Sequence, residues 1–263
     1  MAKLTWRAAA VTDQGLTRSE NQDNYLITGD QQLFVVADGI GGQTGGATAS
    51  RLAVETMEKR WKEAMPDLGD AESIHDWFSE SISLANSTIA QAAEVTPGCR
   101  NMGTTIVAAI QDDHGNLHVA HVGDSRAYLV RHGQSSILTK DHSVVMEMFH
   151  KGQLTMEQVK CNPYRHLITR CLGHDAEVEA EFTTVKLQRE DWIILSSDGL
   201  SEVVEEPDIN AIWKDVSAPQ SACKKLLDKT LAGGAPDNVT IVVVSYAKEG
   251  ATPLAQETAE AQV

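Results

Sequence analysis

Cysteine is scarce in this sequence, and no pair of cysteines has the CxxC spacing of a redox or zinc motif. The four cysteines are Cys99, Cys161, Cys171 and Cys223 in a chain of 263 residues. Disulfide frameworks and structural zinc sites depend on closely patterned cysteines. We therefore expect neither, and we interpret these residues as reduced, mostly buried thiols.

Long apolar runs are also lacking. No run approaches the roughly 20 apolar residues that a membrane-spanning helix needs, and residues 1–15 contain no apolar core of the signal-peptide type. These absences lead us to expect a soluble cytoplasmic protein that does not associate with membranes.

Basic residues are outnumbered by acidic ones. The chain has 22 Lys and Arg against 37 Asp and Glu, which gives a formal net charge of −15. So acidic a surface repels nucleic-acid phosphates, and no local basic stripe offsets it. We therefore exclude nucleic acid as a partner. Part of the acidity is expected if carboxylates cluster around a metal ion.

Hydrophobic periodicity and turn residues predict a mixed α and β chain. The predicted strands cover residues 6–12, 24–28, 33–37, 104–111, 117–122, 127–131, 136–138, 178–187, 192–196 and 239–246. The predicted helices cover residues 46–64, 72–94, 208–213 and 220–232. The short turns between residues 104 and 138 indicate an antiparallel meander.

The order of these elements favours an α+β class with two antiparallel sheets in a layered sandwich. We expect helices 46–64 and 72–94 to cover one sheet and helix 220–232 to cover the other. Residues 143–172 have short helical pieces and Pro163, which indicates an insertion over the main body. Residues 247–263 are polar and aperiodic, so we expect a disordered tail.

Aspartates recur at the ends of predicted strands. Asp38 and Asp198 each follow an apolar strand and precede a glycine. The complete set is Asp23, Asp38, Asp124, Asp198 and Asp237. Asp-Gly is a common turn signal, and the turn interpretation would be preferred for any one of them alone. Five such residues at the ends of rigid strands are better explained by carboxylates that converge on one cleft.

Carboxylates held that close together require cations, because their mutual repulsion would cost several kcal/mol. Oxygen ligands with no neighbouring His or Cys ligand indicate Mg²⁺ or Mn²⁺. Glycine after Asp38 lets the backbone carbonyl approach an ion closely. Two such ions can activate a water and polarise a phosphoryl group. The residues therefore predict phosphoester hydrolysis.

The sequence resembles the PPM-type (protein phosphatase 2C class) serine/threonine phosphatases in their compact bacterial form. The resemblance covers residues 11–244, in the family's order. It rests on Arg18-Ser-Glu-Asn-Gln-Asp23-Asn, Val35-Val-Ala-Asp38-Gly39-Ile-Gly-Gly, Gly103-Thr-Thr, His121-Val-Gly-Asp124-Ser-Arg126-Ala, Leu138-Thr-Lys-Asp-His142-Ser, Ser196-Ser-Asp198-Gly199-Leu and Asp237-Asn238-Val-Thr. The stretch Pro163-Tyr-Arg-His-Leu-Ile-Thr-Arg-Cys-Leu-Gly173 is similar to the single-domain cyanobacterial type.

This resemblance implies a four-layer αββα sandwich, with residues 1–246 as one catalytic domain and residues 143–172 as a flap beside the active site. It also implies a role for each site residue. Asp38 bridges two metal ions, and the carbonyl of Gly39 helps bind the second ion. Asp198 and Asp237 ligate the first ion, and Asp23 holds metal-bound waters. Asp124 and Asp198 bind a third, weaker ion. Arg18 grips the substrate phosphate, for which a guanidinium fork is well suited. Without the resemblance, Arg18 would be interpreted as a surface arginine near an acidic segment.

Three positions depart from the family pattern. Gln22 is neutral where many relatives have a metal-binding glutamate, and Ile40 and Gln43 replace histidines that supply a proton to the leaving group. A metal-bound water could supply that proton, in which case Asp124 and the third ion matter more. His142 is the other candidate, although the simpler interpretation is that it fastens the insertion to the core. His121 is expected to be structural, and no role is assigned to His150, His166 or His174.

The leading interpretation is a protein phosphatase that cleaves phosphoserine and phosphothreonine by direct attack of a metal-activated water. No covalent intermediate is expected, because no Ser or Cys has the setting of an activated nucleophile. The resemblance implies a phosphorylated signalling protein or a Ser/Thr kinase as substrate, and we expect a monomer. Two alternatives stay open: an enzyme for small phosphate esters, and a catalytically weak metal-binding module that captures phosphoproteins.

Overall fold

The computed structural model describes residues 5–30, 32–41 and 45–247, which form two antiparallel sheets with helices on both outer faces. The first sheet contains, in spatial order, β1 (Thr5–Asp13), β11 (Val239–Ala247), β10 (Trp192–Ser196), β7 (Arg126–Arg131) and β8 (Gln134–Ile137). The second contains β2 (Asp23–Ile27), β3 (Leu33–Ile40), β5 (Ile106–Gln111), β6 (Asn116–Val122) and β9 (Glu181–Lys186), and the short strand β4 (Gly103–Thr104) pairs with the end of β3.

The helices differ in length according to the layer they occupy. Two long ones pack on the second sheet, and shorter ones lie on the first sheet or in the insertion. In chain order they are α1 (Gly45–Glu63), α2 (Ala71–Val95), α3 (Val144–His150), α4 (Met156–Lys160), α5 (Asp198–Ser201), α6 (Glu206–Ile212) and α7 (Pro219–Ala232). A 3-10 turn, Trp213–Asp215, follows α6.

Side-chain alternation along β3 produces the layers. Phe34 and Val36 lie in the apolar cluster between the two sheets, whereas Leu33, Val35 and Ala37 face the cluster under α1 and α2. Both faces of this strand are buried, which explains its unbroken apolar run. A third cluster joins the first sheet to α5, α6 and α7. The predicted αββα sandwich and the predicted placement of its helices are therefore confirmed.

The predicted meander is wrong. Strands β5 and β6 form a hairpin in the second sheet, whereas β7 and β8 form a hairpin in the first. The chain changes sheet between Val122 and Arg126, where Gly123 has a φ of +104°. Strand β7 also pairs with β10, and the local periodicity of the sequence cannot predict this pairing.

Two other differences lie near the predicted site. The predicted strand 104–111 is interrupted at Thr105, and the predicted strand 33–37 continues through Asp38 to Ile40. Asp38 therefore lies inside β3 rather than at its end. The one-turn helix α5, which begins at Asp198, was not predicted, and β9 is shorter than the predicted strand 178–187.

Histidines fasten the insertion to the sandwich, as predicted for His142. The buried ring of His142 accepts a hydrogen bond at Nδ1 from the backbone N–H of Gly123 (3.1 Å), and its carbonyl accepts one from the N–H of Thr169 (2.7 Å). His121 is buried on β6 with Nε2 2.8 Å from the carbonyl oxygen of Lys140. Both residues have the structural roles expected of them.

Within the described part of the chain, no helix is long and apolar enough to cross a membrane. All four cysteines are free, and Cys161 is the exposed one. The predicted tail lies outside the described residues, apart from Ala247 at the end of β11. Gln43 also lies outside them.

Candidate metal centre

Asp38 and Asp23 face each other across β3 and β2, where they are register partners. Asp23 is 6% exposed and accepts a hydrogen bond at Oδ2 from Ser197 Oγ (2.7 Å). Its other oxygen, Oδ1, is buried without a hydrogen-bond partner among the described residues. The strand pairing thus brings two carboxylates together and leaves one buried oxygen of Asp23 available to a further ligand of the site, such as a water.

The interruption at Thr105 fixes the backbone of Asp38. Asp38 N donates to Thr105 Oγ1 (3.1 Å), and the carbonyl of Asp38 accepts hydrogen bonds from Thr105 N (2.9 Å) and Thr104 Oγ1 (2.7 Å). Two threonines therefore replace an ordinary strand ladder at this position. Their side chains were missed as site-forming residues, although Gly103-Thr-Thr was among the stretches of family resemblance.

Gly39 must be a glycine in this setting. A Cβ at this position would overlap the carbonyl of Gly46 and lie 2.6 Å from the carbonyl oxygen of Gln22. The N–H of Gly39 donates to that same Gln22 oxygen at 3.2 Å. This close packing brings the start of α1 and the segment before β2 to the edge of the cleft.

Asp198 stands where β10 ends and α5 begins. Its Oδ1 is buried without a hydrogen-bond partner among the described residues, and its carboxylate contacts that of Asp38. Gly199 packs so tightly on the carbonyl of Asn238 that a Cβ would overlap it. The start of β11 is thereby held against the end of β10.

Arg18 covers Asp237 at the rim. Arg18 Nη2 donates to Asp237 Oδ2 at 2.5 Å, and the two side chains are 56% and 23% exposed. The hydrogen bond with Asp237 raises the pKa of Arg18, and the charges of Asp198 and Asp38 contribute. The arginine thus faces the predicted metal ligands and ion-pairs with one of them.

Asp124 lies in the loop where the chain changes sheet. Burial is the largest cause that raises its pKa to about 7, and the charge of Asp141 adds to the effect. The charge of Asp124 also raises the pKa of Asp198. Asp124 and Asp198 both line the same cleft.

Burial and mutual repulsion disfavour the ionised form of these carboxylates in the absence of a cation. Burial is the first cause that raises the pKa of Asp23 to about 6 and those of Asp38 and Asp198 well above their usual range. Neighbouring aspartates add to the increase at each position. Two of these carboxylates have an unpartnered buried oxygen, and of the five aspartates only Asp237 forms an ion pair with an arginine of the described chain, Arg18. Such a set fits a site for divalent metal ions.

One cleft of about 590 Å³ joins these residues. Asp23 is the exception, because it lies behind the lining of the cleft and is next to Asp38. The lining consists of Arg18, Ser19, Glu20, Gln22, Asp38, Gly39, Ile40, Gly41, Thr105, Asp124, His166, Ile168, Asp198, Glu202, Pro236, Asp237 and Asn238. The predicted site residues other than Asp23 therefore line one cleft, and Asp23 adjoins it as the register partner of Asp38.

His166 and Glu202 belong to this cleft and were not predicted. His166 Nδ1 and Glu202 Oε1 are 2.5 Å apart, which links the insertion to the segment after α5. Together with Asp198 they offer ligand atoms within 4.8 Å of one another. The signal available for His166 was its place in the stretch from Pro163 to Gly173. Nothing in the local sequence distinguished Glu202.

Comparisons with known proteins identify the family to which the chain is similar. A family model described as Protein phosphatase 2C matches residues 17–233. The serine/threonine phosphatase stp of Listeria monocytogenes serovar 1/2a is 34% identical over 236 residues, which cover 89% of this chain and 93% of that protein.

Two solved structures show the same architecture. The serine/threonine phosphatase of S. agalactiae superposes with a TM-score of 0.85 at 32% identity, with 92% of this chain and 99% of that chain covered. The catalytic domain of the phosphatase PstP, solved in complex with two manganese ions, superposes with a TM-score of 0.81 at 31% identity and covers 93% and 100% of the two chains.

Proposed function

Since this chain belongs to the protein phosphatase 2C family and is a metal-dependent serine/threonine phosphatase, we propose that its five clustered aspartates hold the catalytic metal ions. The observation that carries this proposal is the pair of buried oxygens, Asp23 Oδ1 and Asp198 Oδ1, without a hydrogen-bond partner among the described residues. Both belong to carboxylates next to Asp38, which lines the cleft.

We propose the ligand roles that the family resemblance implies. Asp38, which contacts carboxylates on both sides, would bridge two ions, and the carbonyl of Gly39 would contribute to the second ion. Asp198 and Asp237 would ligate the first ion, and their segments are packed together through Gly199. The buried Asp23 holds waters of the ions rather than binding one directly.

Mg²⁺ or Mn²⁺ fits this set of oxygen ligands. When bound, two such ions supply an activated water and neutralise charge on the phosphoryl group. A third, weaker position between Asp124 and Asp198 is supported by their place in the same cleft and by the charge of Asp124, which raises the pKa of Asp198.

Arg18 is proposed to bind the phosphate of the substrate. Its guanidinium already contacts a carboxylate at the rim, and the oxygens of a phosphate, which suit a guanidinium fork, can replace that partner. The side chain is 56% exposed and can move without disturbing the core. Arg18 would then orient the phosphorus above Asp38.

The leaving alkoxide of serine or threonine must receive a proton. Ile40 lines the cleft and has no ionisable group, so the donor lies elsewhere. We propose that Asp124 orients that donor, because it lines the cleft and is not one of the ligands proposed for the two core ions. His142 is not assigned this role, because it does not line the cleft.

The substrate is a phosphorylated protein, and we propose a signalling protein or a Ser/Thr kinase as the physiological one. We further propose that residues 1–246 form a single catalytic domain with residues 143–172 as its flap. A monomer in the cytoplasm remains our expectation.

The test is Mn²⁺-dependent release of phosphate from a phosphothreonine peptide by the full chain, compared with p-nitrophenyl phosphate and with the Asp38→Ala variant. We expect release from the peptide that requires Mn²⁺ and is abolished in Asp38→Ala. An unaffected Asp38→Ala variant contradicts the proposed centre. Cleavage of the small ester without any cleavage of phosphopeptides would favour a small-ester phosphoesterase.

A further inference from the structure

Two buried hydroxyl groups connect β3 to the loop that carries Asp124. Thr105 Oγ1 accepts a hydrogen bond from the backbone N–H of Asp38 (3.1 Å) and lies 2.7 Å from Ser125 Oγ, where either hydroxyl can donate. Thr105 and Ser125 are each 1% exposed. Because Ser125 directly follows Asp124, a chain of two hydrogen bonds joins the backbone of one proposed ligand to the residue next to another.

The methyl group of Thr105 packs on the other side of Asp124. Gly123, which directly precedes Asp124, has a φ of +104°. A Cβ added to Gly123 would lie 2.6 Å from Thr105 Cγ2 and 2.7 Å from Thr105 Cβ, so the two residues are in close contact. Thr105 therefore packs against the residue before Asp124 and forms a hydrogen bond with the residue after it.

Thr105 is itself fixed to β3. Its backbone N–H donates to the carbonyl of Asp38 (2.9 Å), and it lines the cleft together with Asp38 and Asp124. Asp38 belongs to the second sheet, whereas Asp124 lies where the chain crosses to the first sheet. The side chain of Thr105 contacts both segments. Ligand groups must be held to within about 0.5 Å for a metal site to work, and this contact can provide that restraint.

We infer that Thr105, together with Ser125, is a positioning residue that sets the place of the Asp124 carboxylate relative to Asp38, and thereby couples the third ion position to the two core positions. This inference rests on the proposed metal centre. Thr105 acts through Asp124 rather than on the reacting atoms. The simpler interpretation is a buried hydrogen bond that only stabilises the fold, and the following variants separate the two interpretations.

Thr105→Val removes the hydroxyl group and keeps the shape of the side chain. We expect it to lower kcat for a phosphothreonine peptide by roughly 10–100-fold, the range typical of lost partners of metal ligands, with little change in KM. Titration with Mn²⁺ alone, with free Mn²⁺ measured by electron paramagnetic resonance, should show two core ions bound as in the wild type and a weakened third ion.

Thr230→Val is the matched control. Thr230 is fully buried, and its hydroxyl donates to the carbonyl of Leu226 within α7 (2.9 Å), outside the cleft. This variant also loses a buried hydrogen bond, but it should keep wild-type kcat and Mn²⁺ binding. Thr105→Ser keeps the hydroxyl group and should retain most of the turnover. Thermal unfolding with EDTA present measures the stability of each variant.

Ser125→Ala removes the other half of the pair and repeats the test if Thr105→Val does not fold. Because either loss leaves one hydroxyl without its partner, the double variant should have no lower kcat than Thr105→Val alone. Wild-type kcat and ion binding in both single variants overturn the inference. Equal losses in Thr105→Val and Thr230→Val, or a wild type that binds two Mn²⁺ and no third, also overturn it. A wild type that binds no Mn²⁺ would overturn the proposed metal centre itself.

Discussion

Asp23, Asp38, Asp124 and Asp198 all have raised pKa values, and burial is the largest cause in each case. A protein does not gather buried, mutually repelling carboxylates for stability, because unpaired buried charge is destabilising. At the scale of single residues, the arrangement is explained by ligands that a cation neutralises. Arg18 offsets only Asp237, through an ion pair at the exposed rim.

The proposed role of Asp124 can be tested separately from the roles of the other aspartates. Asp124→Ala removes one carboxylate beside Asp198 but leaves Asp38, Asp198 and Asp237 in place. We expect kcat to fall by roughly 10²–10⁴-fold, the range typical of lost proton transfer, while two Mn²⁺ ions remain bound. Steady-state kinetics and a Mn²⁺ titration measure the two quantities.

The control for this variant is Asp113→Ala, which removes an exposed aspartate outside the cleft. It should keep wild-type turnover. Loss of all bound metal in Asp124→Ala would contradict our assignment, because Asp124 would then belong to the two core positions.

At the scale of elements, the ligands are held by contacts between chain segments rather than by any one strand. The start of α5 packs on the start of β11 through Gly199 and Asn238. Asn238 in turn binds the carbonyls of Gln14 (2.9 Å) and Glu20 (2.8 Å). The positions of Asp198 and Asp237 therefore depend on one packing contact, that between Gly199 and Asn238.

Gly199→Ala tests this contact. The added Cβ would overlap the carbonyl of Asn238, and we expect it to destabilise the protein by about 1–3 kcal/mol. Urea unfolding measures the change. Gly29→Ala is the matched control, because an added Cβ there has no atom within 4 Å. Equal stability of the two variants would show that the turn is not packed as described.

Sequence patterns predicted the elements and the aspartates better than the connections between them. The apolar run of β3 and the Asp-Gly pairs at Asp38 and Asp198 are local features, and both aspartates line one cleft, as predicted. The sheet change at Gly123 and the role of Thr105 depend on partners far away in the chain. His166 and Glu202 were missed for the same reason, since each becomes meaningful only when the insertion folds back on α5.

At the scale of the whole molecule, metal binding and folding are linked through protons. The folded chain keeps protons on Asp23 and Asp124 up to pKa values of about 6 and about 7, whereas an unfolded aspartate has a pKa of about 3.9. The folded state therefore binds more protons in this window. Without metal, the stability that these two groups contribute is fully present below about pH 4, and it is lost as the pH rises through their folded-state pKa values.

Metal cations prevent this loss of stability at higher pH, because they replace the protons on the same carboxylates. We expect the increase in melting temperature caused by Mn²⁺ to be larger at about pH 7.5 than at about pH 5. Differential scanning calorimetry with Mn²⁺ or EDTA at both pH values measures it. An increase that is equal at both values, or larger at the lower one, would contradict the proposed exchange of protons for metal.

Anomalous diffraction from crystals grown with Mn²⁺ tests the central claim most directly, because it locates the ions without reference to activity. The account predicts two strong peaks in the cleft, one between Asp38, Asp198 and Asp237 and the other beside Asp38 and the carbonyl of Gly39. Ligand oxygens should lie about 2.0–2.3 Å from the ions, as for comparable divalent metals. A cleft without anomalous density, or ions bound away from Asp38, would contradict it.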